Sequence, residues 1–157
     1  MSIFDNILGT NLRDIILTGF IELNSGDELN TLYFNEEHIY LDFHTFFLLL
    51  AYEEEQDTFN ISIENKVEFN FSIDAEDQYV STSIHSLFIT DTVSELQVSR
   101  VVVYSDADKM KALELILSND QQLFFDSTYF TGIKMGEEYV KKIFIENHLA
   151  FTKEIFE

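Results

Sequence analysis

The 157-residue chain has no cysteine, no proline and no tryptophan, only five glycines, and nine basic residues against 29 acidic ones. Each shortage excludes something. Without cysteine there is no disulfide, no thiolate metal site and no cysteine nucleophile, so a small secreted disulfide scaffold is untenable and a cytoplasmic location is expected. Five glycines scattered singly cannot build a dinucleotide cradle, and neither a nucleophile elbow nor an HExxH motif occurs. With no linker-like or low-complexity tract there is no point at which to divide the chain, so residues 1–157 are expected to form one domain. The start, MSIFDNILGTNLRD, lacks a basic leader and a signal-type apolar run, and the longest apolar run, Phe46 to Tyr52, is too short to cross a bilayer. A net charge of −20 repels nucleic-acid phosphates and anionic membranes, and no local basic patch counters it, so neither is an expected partner.

What the chain does have is aromatic rings, 16 Phe and 7 Tyr, within an ordinary 46% apolar composition. A core of rings with Ile, Leu and Val follows, and a chain of this length buries about two thirds of its unfolded surface. In TFNISIENKVEFNFSID, residues 58–74, Phe59, Ile61 and Ile63 alternate with polar residues, as do Val67, Phe69, Phe71 and Ile73 beyond ENK. Period two on both sides of a polar turn predicts a hairpin with one buried face. From Val98 to Phe125, three β-branched, aliphatic or aromatic runs are separated by polar turns, which predicts a three-stranded meander. Residues 79–90 read as a further strand region. After Gly136, Glu137 and Glu138 precede Lys141 and Lys142, while Tyr139, Val140, Ile143 and Phe144 recur at helical spacing, predicting a helix packed on the sheet. Phe4, Ile7 and Leu8 suit a short N-terminal helix. The fold class expected is therefore α+β but mainly β: antiparallel, curved sheets built of meanders, with a short N-terminal helix and a C-terminal helix.

Leu12 to Leu23 fits helix or strand by periodicity alone. A faint internal repeat favours strand: NEEHIYLDFHTFF at 35–47 aligns with NDQQLFFDSTYFT at 119–131, pairing Asn35 with Asn119, Asp42 with Asp126 and Phe46 with Phe130. Extended upstream, the repeat relates residues 12–47 to 98–131 and lays Asp14 to Phe20 over Val98 to Tyr104.

The first of these segments places His38, Tyr40, Asp42 and His44 on one side of a strand and Ile39, Leu41 and Phe43 on the other. His38 and His44 would lie roughly 20 Å apart, too far to share one ion. Asp42 and His44 lie closer, but a further ligand would have to come from elsewhere, and the repeat keeps the aspartate while replacing the histidines with Gln122 and Thr128. A turn-capping role for both aspartates fits that pattern. SDADK, residues 105–109, lacks the glycine and glutamate of a calcium loop and reads as a turn. No catalytic residue, metal site or cofactor is assigned. Among 29 acids, carboxylate pairs of the glycosidase type arise by chance and carry little weight.

Charge is the remaining signal. Residues 1–97 hold 19 acids against Arg13 and Lys66, whereas residues 98–157 hold 10 acids and seven bases. Glu53, Glu54, Glu55, Asp57, Glu64, Glu68, Asp74, Glu76 and Asp77 cluster along the predicted hairpin with Lys66 as the one cation among them. They serve either as a surface for a cationic partner or as a solvated edge that blocks strand-to-strand aggregation.

The segment RVVVYSDADKMKALELILSNDQQLFFDSTYFTGIKMG, Arg100 to Gly136, resembles stretches of small bacterial immunity proteins of contact-dependent inhibition and related polymorphic-toxin systems: strand, acidic turn, strand, polar turn, and a strand ending in FFD that leads into GIKMG. The resemblance covers about a quarter of the chain and assigns no residue role. It implies a small, cytosolic, non-enzymatic protein dedicated to one toxin. With the charge, it predicts a basic toxin domain as partner, such as a nuclease, met by the nine acids. The alternatives are a β-rich enzyme or small-ligand-binding domain, and an assembly subunit that uses its sheet edges.

Overall fold

The computed structural model describes residues 1–23, 26, 29–89, 96–129, 132–148 and 150–157. Two antiparallel five-stranded sheets form, each from a continuous half of the chain. The first contains β1 (Asp14–Glu22), β2 (Thr31–Asp42), β3 (Phe47–Glu53), β4 (Thr58–Glu64) and β5 (Gln78–Ser83), in the order β4-β3-β2-β1-β5. A one-turn helix α1 (His85–Phe88) follows. The second sheet contains β6 (Val98–Asp106), β7 (Lys109–Leu117), β8 (Gln122–Asp126), β9 (Lys134–Gly136) and β10 (Thr152–Phe156), in the order β10-β6-β7-β8-β9, with helix α2 (Glu138–Asn147) between its last two strands.

Alternation gives each strand an inner face. Ile15, Leu41, Leu48 and Leu50 of the first sheet and Val101, Val103, Leu113, Leu115, Leu123 and Phe125 of the second belong to one buried cluster, so the sheets pack face to face. The second sheet is apolar on its outer face too: Val102, Tyr104, Ala112 and Phe124 receive Val140 and Phe144 of α2. That double burial explains the unbroken VVVY run. Beneath the helix, Glu114 is 1% exposed and accepts hydrogen bonds from Tyr104 Oη (2.9 Å) and Lys141 Nζ (2.7 Å).

The meander is where the polar turns place it. SDADK is a tight hairpin turn in which Ala107 and Asp108 both have positive φ (48° and 63°) and Asp106 pairs with Lys109. Residues 3–6 form a single 3-10 turn with a Ser2/Asp5 capping box that buries Phe4, and residues 14–22 are strand. Between them Gly9 and Leu12 donate to Val98 O and Leu96 O (2.8 and 2.9 Å), so the chain is tied to the start of β6 before it enters its own sheet. Asp42 Oδ1 and Asp126 Oδ1 each accept the amide two residues on, from His44 and Thr128, both at 2.7 Å. Both aspartates thus cap turns. The pairing does not repeat: β1 pairs with β2, whereas their counterparts β6 and β8 do not pair with each other but flank β7. Phe130 lies outside the described residues, as does residue 90 of the 79–90 strand region, where β5 ends at Ser83 and α1 follows.

Two expectations need correction. The predicted 58–74 hairpin has only its first strand. After β4 the chain does not turn back; residues 65–77 leave that edge and cross the outer face of the first sheet to reach β5 at the opposite edge. Tyr40 of central β2 anchors the crossing: its hydroxyl donates to Glu68 O (3.1 Å) and accepts from Glu68 N (3.2 Å) and Asn70 Nδ2 (2.9 Å). The alternation of Val67, Phe69, Phe71 and Ile73 records an extended segment lying on a sheet, not a ladder within one. Second, the helix after Gly136 is present, but it is not the last element. It leads into β10, an edge strand paired with β6 and packed through Phe156 on Phe4, with ring centroids 4.7 Å apart.

Candidate functional site

The nine acids fall into separate groups. Glu53 ends β3, Glu54 and Glu55 belong to a 3-10 turn, and Asp57 closes that turn at φ 46° while accepting from Tyr52 Oη (2.9 Å). Lys111 Nζ donates to Gln56 O (2.6 Å) and Ser127 Oγ to Asp57 O (2.9 Å), which fastens this corner to the second sheet. Glu64 stands at the opposite end of β4, on the order of 20 Å away at the rise of a strand. Glu68 pairs with Lys66 (3.0 Å) on the crossing segment. Asp74, Glu76 and Asp77 lie at its far end and, with Glu22, surround a hollow of about 340 Å³ also lined by Phe20, Leu23 and Ile73.

Beside this hollow is a feature that charge counting missed. In the register of the sheet Phe20 of β1 stands directly opposite Tyr33 of β2 and Tyr79 of β5, so three rings line up across three strands on the outer face. Tyr33 stacks on Phe20 (4.9 Å, 20° between planes). The crossing segment adds Phe71, 6.0 Å from Phe20 and 5.5 Å from Tyr79, and Phe69, 4.7 Å from Tyr79. Tyr79 Oη donates to Phe71 O (2.9 Å) and holds the segment down. Tyr33, Phe69 and Tyr79 remain 44%, 38% and 45% exposed. Glu22, through hydrogen bonding and its charge, pushes the Tyr33 phenol above its ordinary value, Asp77 adding to this. The sequence signal was available in the alternation of Phe69 and Phe71 within an acidic run, but the row itself depends on strand register.

The opening histidines do not converge. His38 is half-buried, its Nδ1 3.2 Å from Asn35 Nδ2, and burial lowers its pKa against the opposing charge of Glu37. His44 lies past the end of β2, at φ 75°, with its Nδ1 2.9 Å from Arg13 Nη1. His148 stacks on Phe144 at 4.2 Å. Among the described residues no three His, Asp or Glu side chains are grouped to hold a metal ion. Tyr40, drawn on the same side as His38 and Asp42, is fully buried beneath the crossing segment.

A cavity of about 550 Å³ opens where Leu17, Ile39, Ile84, Phe88 and Met135 approach one another, with Glu36 and Lys134 among its lining. Ile133 N donates to Glu36 O (2.9 Å), and Lys134 Nζ sits 3.6 Å from the centre of the Tyr129 ring. Its lining is mainly apolar, with Glu36 and Lys134 as the charged residues.

Fold and surface together define a two-sheet antiparallel β protein with an aromatic outer face rimmed by carboxylates. Comparison with family models, with curated proteins and with solved structures gives no match. No helix among the described residues is long and apolar enough to cross a membrane.

Proposed function

We propose that this protein is a non-enzymatic binding module of the immunity-protein type, acting in the cytoplasm, that neutralises a basic toxin domain by binding it through the acidic outer side of its first sheet. The observation that carries the reading is the charge asymmetry. The half of the chain that builds the first sheet has 19 acids and two cations, and its outer face carries Glu22, Glu68, Asp74, Glu76 and Asp77 beside exposed rings. A nuclease cleft built for phosphates is the kind of basic surface such carboxylates attract.

Glu53, Glu54, Glu55 and Asp57 contribute to the long-range field from a separate corner, and Glu64 from the far end of β4. The test is stopped-flow association with the cognate basic toxin domain that this reading requires. Association should slow as the Debye length shortens from about 30 Å at 0.01 M salt to about 8 Å at 0.15 M, and Lys substitution at Asp74, Glu76 and Asp77 should slow it further. A rate indifferent to salt and to these substitutions overturns the reading.

A second reading rests on the apolar cavity of about 550 Å³, a size that suits a small ligand. Native mass spectrometry of the purified protein tests it: a co-purifying small molecule lost on Ile39→Trp supports that alternative.

A further inference from the structure

We infer that the outer face of β2-β1-β5 is an arginine-recognition surface, on which guanidinium groups of a basic protein partner stack against Tyr33 and Tyr79 while Glu22, Asp74, Glu76 and Asp77 receive their N–H donors. This rests on the proposed function and specifies its chemistry.

The stacking geometry favours a second planar group. Phe20 covers one flank of Tyr33, the rings being 20° from parallel, yet 44% of the residue remains exposed. Tyr79 is held by Phe69, Phe71 and its hydroxyl bond to Phe71 O, and is 45% exposed. The rings are therefore fixed before binding, so little side-chain freedom is lost when a partner docks. Exposed aromatic rings packed in register are costly to leave facing water and are the residue type most enriched in the centres of protein interfaces.

The occupant follows from complementarity of charge. Four carboxylates line the hollow against Phe20, the ring on which Tyr33 stacks and opposite which Tyr79 stands, and the only cation on the crossing segment, Lys66, is paired with Glu68. A cation that offers a flat face to a ring and a fork of donors to a carboxylate satisfies both features at once. Arginine does this; lysine, a compact and strongly hydrated point charge, satisfies mainly the electrostatic part. An anionic partner is repelled and a purely apolar one would desolvate the carboxylates without pairing them.

The test uses the full chain and two short peptides, one alternating Arg with Ser and one alternating Lys with Ser, titrated calorimetrically at 0.15 M salt. The arginine peptide should bind about tenfold more tightly than its lysine counterpart. Tyr33→Leu with Tyr79→Leu should erase that preference, and Tyr33→Phe with Tyr79→Phe should preserve it. Tyr33→Leu alone, at a residue outside the core, should halve the preference or more even if the double variant folds poorly. Asp74→Asn with Glu76→Gln and Asp77→Asn should weaken both peptides while leaving their ratio in place. Equal binding of the two peptides overturns the arginine inference and leaves the acidic surface standing. A preference that survives the leucine variants overturns the location. If neither peptide binds even at 0.01 M salt, the acidic-surface reading fails, and the arginine inference with it.

Discussion

Replacing Lys141 by Met isolates the one buried carboxylate that holds α2 to the second sheet. Glu114 is 1% exposed and has two donors, the Tyr104 hydroxyl at 2.9 Å and the Lys141 ammonium at 2.7 Å. Burial, together with the hydrogen bond to Glu114 and its charge, pushes the Tyr104 phenol upward, so Tyr104 stays a neutral donor and cannot replace the lost cation. Breaking a buried ion pair by removing one member costs about 3–5 kcal/mol. Lys141 is 23% exposed, so water already shares its charge, and the lower end, about 3 kcal/mol, applies. For a domain of this size that corresponds to a fall in Tm of about 6–12 °C. Glu114→Gln keeps an acceptor for Tyr104 and frees Lys141 to reach solvent, so it should cost about 1–2 kcal/mol. The double variant should be more stable than the sum of the two losses implies, because neither charge is then stranded. Urea unfolding followed by circular dichroism and tyrosine emission measures all three. A Lys141→Met loss under about 1 kcal/mol, or strict additivity, would falsify the claim that Lys141 compensates a buried charge.

Three further perturbations test other parts of the fold. His38 has its pKa depressed by burial, so below the ordinary imidazole value, about 6.5, the unfolded chain binds a proton that the folded one resists. Stability should therefore fall as pH drops from 7 through the folded-state pKa, and His38→Gln should flatten that slope in thermal melts between pH 7 and 5. Tyr40→Phe removes three hydrogen bonds to the crossing segment and should cost about 1–2 kcal/mol, with limited proteolysis newly cutting within residues 65–77 while α2 amides keep their exchange protection. At Gly19 an added Cβ would collide with the Tyr33 carbonyl oxygen, which is backbone and cannot swing aside; Gly19→Ala should lose about 2–3 kcal/mol, read from urea midpoints, and a neutral effect would show that β1 and β2 lie farther apart than described.

How much of this was legible in the sequence depended on distance along the chain. β6, β7 and β8 are consecutive, joined by tight turns and apolar on the inner face, so local pattern sufficed. Helix α2 was equally plain, since Val140 and Phe144 form its buried side at i, i+4 spacing, although Tyr139, 72% exposed, faces solvent. Alternation in Val67 to Ile73 reported one-sided packing, with Val67, Phe71 and Ile73 partly buried and Phe69 still exposed, but period two does not say whether the neighbour is a ladder partner or a sheet face underneath. β10 was invisible because TKEIF is polar and largely exposed, and its partner, Val101 to Ser105, lies far back in the chain. The excess of carboxylates in the first half was countable. The aromatic row was not, because Phe20, Tyr33 and Tyr79 sit in three separate segments and meet only through register.

The division of the two sheets between two halves of the chain has a consequence for synthesis. All five strands of the first sheet are encoded by residue 83, while every strand that covers its inner face comes after residue 97. At about 5–20 residues per second the ribosome needs roughly 4–15 s to deliver residues 84–157. During that interval Ile15, Leu41, Leu48 and Leu50 lack the second-sheet members of their cluster, and Gly9 and Leu12 lack the carbonyls of Val98 and Leu96 that later receive their amides. A nascent half-sandwich of this kind would stick to its neighbours on a polysome through its bare face and open edges. Seventeen carboxylates against two cations in residues 1–83 give that intermediate a mutual repulsion which residues 98–157, nearly balanced in charge, have no need to carry.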